Sequence, residues 1–224
     1  MISDFFSDVG LLSAIQVTLI LAVSSTAVSS ILGIPFGLFL EQSNFSGKRI
    51  VIRINRTLLG IPPVAVGLIV YLLLMSRGPL GPLSLLFTIR GMIIAQTIII
   101  TPIISSMVYS YAVRAAPAIR MFAVTMGANK GQTRILLLKE MKNEIYLSIV
   151  TGFGRSISEV GAVMLVGGNI KGRTRTMTTA ISMLKSQGIF TEGITLGIVL
   201  LIFAFLLQWA AESFQKRETE DENY

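Results

Sequence analysis

Charged residues divide this chain into long apolar runs. Asp8 and Glu41 are separated by 32 uncharged residues, Arg56 and Arg77 by 20, Arg90 and Arg114 by 23, and Glu192 and Glu212 by 19. A further stretch from Ile145 to Ile170 is interrupted only by Arg155 and Glu159. A helix that crosses ~30 Å of hydrocarbon needs roughly 20 apolar residues. The pattern therefore predicts an all-α membrane protein with five transmembrane helices, over 12–38, 57–76, 92–112, 146–167 and 193–211. The first run is longer than one crossing requires; tilt, a kink near Pro35 or an interfacial continuation would absorb the surplus.

The Lys and Arg residues between the runs set an orientation. Loop 41–56, loop 113–144 and the tail hold twelve of them, and the opposite loops hold six. The positive-inside rule places the richer side in the cytoplasm, with the N-terminus outside and the C-terminus inside. Residues 1–212 read as a single transmembrane domain and 213–224 as a polar, solvated cytoplasmic tail. The "RGPLGPL" stretch at 77–83 reads as an external turn.

Composition narrows the function. The chain is 52% hydrophobic and 14% charged, with mean hydropathy +0.73, against about 25% charged for soluble domains. The net charge of +7 is spread between apolar runs, which fits a membrane surface and not nucleic acid. The start, "MISDFFSDVG", is acidic and lacks the positive region of a signal peptide, so the first helix is expected to be retained. The sequence contains neither Cys nor His. Disulfides, thiol chemistry and the commonest general base are thereby removed. A membrane-embedded enzyme has no credible catalytic set here. No G-x-x-x-x-G-K-[ST] phosphate loop occurs, so the chain is not the usual ATPase.

Residues 113–145 are too long for an ordinary helix connection. Pro117 suits a first helical turn. Ile119, Phe122, Ala123 and Met126 then recur at helical spacing until Gly127 stops them. A second helix is expected near 131–142, with Ile135, Leu136 and Leu138 set against Arg134, Lys139 and Lys142. Such a helix pair either presents a grip to a soluble partner or lies on lipid headgroups.

Inside the fourth span, Arg155 and Glu159 stand four residues apart. They are expected to sit on one face of the fourth helix, about one turn apart. They form either a structural salt bridge or latch, or part of an anion pathway. Small residues surround them, among them Gly152, Gly154, Ser158, Gly161 and Ala162, and favour close helix packing. The following external loop carries Lys171, Arg173 and Arg175 beside Thr174, Thr176, Thr178 and Thr179. These are sensible donors to a tetrahedral oxyanion; docking to an acidic partner is the other reading. Pro62 and Pro63 break the second helix near its start, and Pro102 interrupts the third. Each is read as a packing kink, with a gate or pore bend as the alternative.

The run "MFAVTMGANKGQTRILLLKE" resembles the cytoplasmic loop of the membrane subunits of bacterial ABC importers, which reads E-A-A, three residues, Gly, nine residues, I-x-L-P. Ala123, Gly127 and Ala128 match; the Glu and the Pro are missing. "LLGIPPVAVGLIVYLLL" and "GRSISEVGAVMLVGGNIKGRTRTMTTAI" resemble the molybdate/tungstate permease group, most closely the tungstate type. The likeness extends over about residues 10–210. Arg175 and its flanking threonines follow the group's pattern; Lys171 and Arg173 look more individual.

This resemblance implies a type I importer permease fold in the inner membrane of a prokaryote. It implies a homodimeric pore that carries an oxyanion, tungstate or molybdate, delivered by an external binding protein. Ala123, Gly127 and Ala128 would couple to ATPase subunits, and ATP and Mg would sit on those subunits, with no cofactor on this chain. Pro62, Pro63, Arg155, Glu159, Arg173, Thr174, Arg175 and Thr176 are the candidate pathway or gate residues. The competing reading is a stand-alone secondary transporter or channel for a small anion. Against it stand the lack of an internal repeat and the single carboxylate, Glu159, within the membrane.

Overall fold

The first uncharged run folds as one helix, α1 (Leu11–Gln42), which continues through Pro35. In this computed structural model residues 10–221 are described, with side chains through Trp209. The buried face of α1 is built largely from small residues, including Ala14, Ala22, Ser25, Ser29, Gly33 and Gly37. It lies against α4 (Ile89–Thr125). A Cβ on Gly37 would come within 2.6 Å of the Ser105 carbonyl oxygen. The helices meet backbone to backbone there, as small residues permit in lipid.

The second and fourth predicted spans are each broken. α2 (Lys48–Thr57) runs into a 3₁₀ turn at Leu58–Gly60, and α3 (Pro63–Leu74) then leaves at 103°. Pro62 caps α3 and Pro63 is its first residue, where a missing N–H costs nothing. α6 (Lys142–Ile157) and α7 (Gly161–Gly167) meet at 60°. Among the described residues three helices are long and apolar enough to cross a membrane, and five spans are reached only if each bent pair counts as one.

The third span corrects the sequence reading. No new helix starts at Pro117; α4 runs unbroken for 37 residues, through both Pro102 and Pro117. At ~1.5 Å per residue it is about 55 Å long and projects well past the hydrocarbon. Burial overrides the proline signal. Ala112 and Ala116 pack with Ile104 and Val108 against Leu137 and Met141 from α5 (Lys130–Glu140) and the α5–α6 junction. The Ala-rich stretch around Pro117 also favours helix.

α8 (Met177–Ser186) fills a stretch that the apolar pattern left as loop. α9 (Phe190–Asp221) begins slightly before the predicted span and continues through most of the segment read as a solvated tail. The acidic start at 1–9 and the end at 222–224 lie outside the described residues.

The loops gather at two ends of α1. At one end Arg120 of α4 forms an ion pair with Glu41, which is 7% exposed. At the other, the Phe87 N–H donates to the Val166 carbonyl (2.9 Å), and the Met177 N–H donates to Thr18 Oγ1 (3.0 Å). Loops 41–56 and 113–144, grouped by their Lys and Arg content, therefore share an end.

Candidate coupling and translocation sites

The end of α4 shows why Ala123, Gly127 and Ala128 occur at their spacing. The Ala128 N–H donates to the Ala123 carbonyl (2.9 Å), and the Gly127 N–H donates to the Val124 carbonyl (3.0 Å). This is a Schellman ending, which needs a left-handed residue just past the helix. Gly127 supplies it at φ 72°. Asn129 then caps α5: its Oδ1 accepts from the Gln132 N–H (2.9 Å), while Gln132 Oε1 accepts from the Asn129 N–H (2.8 Å). The helix pair expected from the sequence is present, but its first member is the tip of α4.

Leu137 is buried and holds α5 against the bundle. Met121, Phe122, Val124, Met126 and Ile135 are exposed around the turn. Beside them opens a cavity of about 380 Å³ lined by Arg120, Ala128, Lys130 and Arg134, among others. Apolar side chains with cations at their rim form a surface that lacks a cover.

Arg155 and Glu159 do not share a helix. α6 ends at Ile157, and Glu159 lies in the break before α7. The pair survives: Arg155 Nη2 lies 3.2 Å from Glu159 Oε2. Glu159 is 4% exposed, and its Oε1 accepts from the Ala162 N–H (3.2 Å), so one carboxylate bridges the end of α6 and the start of α7. Its own carbonyl accepts from Thr178 Oγ1 (2.9 Å), which ties the break to α8. The small-residue stripe is divided by the same break. Gly161 and Ala162 pack against α3, where a Cβ on Gly67 would stand 2.6 Å from Ala162 Cα, while Gly152 faces Ile100 and Ile104 of α4. Gly67→Val must force α3 and α7 apart. We expect it to lower the melting temperature of the detergent-solubilised protein by several degrees, equivalent to about 1–3 kcal/mol; an unchanged melting curve would refute the close approach.

The loop between α7 and α8 divides the predicted donors into two kinds. Thr174 Oγ1 donates to the Gly167 carbonyl (2.6 Å) and accepts from the Ile170 N–H (3.0 Å). Thr176 caps α8 in a reciprocal box with Thr179. Both threonines are buried and engaged in holding the loop. Arg173 is exposed. Arg175 is half-buried; Nη2 donates to the Asn169 carbonyl (3.4 Å), and Nε has no partner. Its burial pulls the guanidinium below its usual pKa. An arginine in that setting still carries its charge.

Two buried polar clusters were missed by sequence reasoning. Ser25 and Ser156 Oγ both donate to Gln96 Oε1 (2.7 and 2.6 Å), and Gln96 Nε2 donates to the Ser156 carbonyl (3.1 Å), linking α1, α4 and α6. Asn55 of α2 binds Ser105 and Ser106 of α4. The available signal was a lone amide within an otherwise apolar or amphipathic helix.

Residues 33–220 match the family described as binding-protein-dependent transport system inner membrane component. The chain belongs to that family. It is 43% identical to the tungstate uptake system permease protein TupB of Peptoclostridium acidaminophilum, over 86% of this chain and 85% of the relative. It is 35% identical to the protein of the same name from Campylobacter jejuni, over 95% and 89% of the two chains. Identity to the molybdenum transport system permease protein ModB of Haemophilus influenzae is 27%, over 92% and 96%. Among solved structures, the MetNI methionine ABC transporter in an inward-facing form superposes with a TM-score of 0.75 at 19% identity, covering 92% of this chain and 95% of that one. A bacterial ABC transporter that imports alginate gives 0.77 at 21% identity, covering 96% and 83%.

This permease is therefore a multi-pass inner-membrane component of an ABC importer. It works with a substrate-binding protein and a separate ATPase, as a pore subunit and not as an enzyme. The stand-alone secondary transporter or channel does not survive this membership.

Proposed function

We propose that this permease carries tungstate, or its near-isostere molybdate, into the cytoplasm as a homodimer. One observation supports the cargo above all: a 43% identical relative spanning most of the chain is named for tungstate uptake. The end that carries Lys48–Arg56 and Arg114–Lys142 faces the cytoplasm, with the N-terminus outside, by the excess of Lys and Arg there. Ala123, Gly127 and Ala128 set the turn that an ATPase subunit grips, and ATP and Mg belong to that subunit. The exposed apolar residues beside the turn support this reading.

The oxyanion arrives from an external binding protein at the outer loop. There Arg173 and Arg175 are the anion-facing donors; Thr174 and Thr176 shape the loop and do not touch the cargo. Pro62 and Pro63 fix the bend of the second span, and Arg155–Glu159 latches the break in the fourth. The decisive measurement is ATP hydrolysis by the assembled complex with binding protein and tungstate, molybdate or sulfate. Tungstate or molybdate is expected to stimulate it; stimulation by sulfate alone would refute the cargo assignment. Neutralising both arginines in Arg173→Gln/Arg175→Gln should slow oxyanion uptake about tenfold, as loss of charge-assisted contacts implies. Assembly with the ATPase should be unchanged. Full uptake in that variant would remove the two arginines from the pathway.

A further inference from the structure

We propose that α2 is a docking site for the headgroups of acidic phospholipids. Its sequence, "KRIVIRINRT", holds four cations and no carboxylate. At ~100° per residue, Arg49, Arg53 and Arg56 fall within one narrow arc, and Ile50 and Ile54 lie roughly 110° round the helix from it. Ile50 is 64% exposed and Ile54 55%. A third edge is fixed to the bundle. Asn55 Nδ2 donates to Ser106 Oγ (2.8 Å), and Ser105 Oγ donates to Asn55 Oδ1 (3.1 Å). The helix cannot roll, so its cationic and apolar flanks keep fixed directions.

The arginine flank turns toward the projecting part of α4. Arg56 lies 6.0 Å from the Tyr109 ring centre, and Arg114 lies 5.0 Å from that of Tyr111. Arg56 and Arg114 border one cavity of about 320 Å³, with Ser106, Ser110, Leu59 and Tyr111. Arg49, Arg53 and Arg56 line a second of about 370 Å³. None of these four arginines forms an ion pair with a described residue. The 103° bend lays α2 across the direction of α3, as a helix lying in an interface would be. Tyrosines at that depth are typical of the same interface.

Charge complementarity and apolar exposure together select the occupant. A phosphodiester headgroup matches the guanidinium forks, and its acyl chains cover Ile50 and Ile54. A free oxyanion would satisfy the arginines and leave the isoleucines bare.

The test uses the full chain in mild detergent and counts retained dioleoylphosphatidylglycerol and dioleoylphosphatidylcholine by native mass spectrometry. The glycerol lipid should be preferred, and Arg49→Gln/Arg53→Gln/Arg56→Gln should cut that preference about tenfold. Lys130→Gln/Arg134→Gln/Lys139→Gln removes equal charge at the same end and should leave it unchanged. Equal losses in both variants, or none in the first, would overturn the proposal. Should the first variant fold poorly, the unmodified protein decides. Phosphatidylglycerol with a photoactivatable acyl chain should label peptide 48–60, and high salt should abolish the labelling. Labelling only elsewhere, or displacement of the lipid by tungstate, would refute a lipid site; displacement would assign the arginines to the cargo.

Discussion

Gly127→Pro should abolish ATP-driven uptake while the protein still reaches the membrane in normal amount. Gly127 sits at φ 72°, and proline is locked near −65°. The substitution also removes the N–H that donates to the Val124 carbonyl. The Schellman ending cannot form, and the direction in which α5 leaves α4 must change. No atom lies within 4 Å of the position a Cβ would occupy, so the core is untouched. The damage is confined to the exposed turn between α4 and α5. Misplacement of a coupling element by even ~1 Å can cost on the order of a hundredfold in turnover. Asparagine tolerates the left-handed region, so Gly127→Asn should retain most uptake. The measurement is ATP hydrolysis with and without loaded binding protein, beside uptake into vesicles. Normal coupled uptake by the proline variant would exclude this turn from the coupling path.

The second large effect is expected at Glu159. Its carboxylate caps α7 through Ala162 and pairs with Arg155. Glu159→Ala removes both interactions and leaves a buried N–H without an acceptor, a loss of about 2–3 kcal/mol. Arg155 is 37% exposed, so its unpaired charge is not enclosed by protein, and the loss stays below that of a fully buried pair. Glu159→Gln keeps an oxygen for Ala162 and loses only the charge; about 1 kcal/mol is expected. Thermal unfolding in detergent should rank native above Gln above Ala, and yield should follow. If the alanine variant melts with the native protein, the carboxylate is not what holds the break.

Apolar run length was the most legible feature of this chain. It located the three long apolar helices and both bent pairs, because hydrocarbon thickness acts directly on sequence. It could not reveal the two bends. The bend between Ile157 and Gly161 depends on one carboxylate reaching two partners and on α3 packing against glycine. The second joins residues distant in sequence; the first joins near neighbours, but a hydropathy pattern does not show that the helix stops between them. At Pro117 the opposite error arose: a strong local stop signal yielded to the burial of Ala112 and Ala116.

The candidate site was half legible. Gly127 was identified as a helix stop from local chemistry alone, and the structure adds the hydrogen bonds that require it. Thr174 and Thr176 looked like free donors because side-chain type is visible in a sequence and hydroxyl partners are not. Gln96 and Asn55 passed unnoticed because a single amide barely alters a hydropathy average.

The final helix differs from the other long ones in how little of it this chain covers. Leu201, Ile202, Phe205, Leu206 and Trp209 all face outward, whereas α4 is largely enclosed by its neighbours. Leu196, Val199, Leu200 and Phe203 hold its inner edge against α8, and the rest of its surface is left open. Whatever surrounds the molecule therefore meets most of Phe190–Trp209 directly, and α8, packed on the inner edge of that helix, lies one contact behind it.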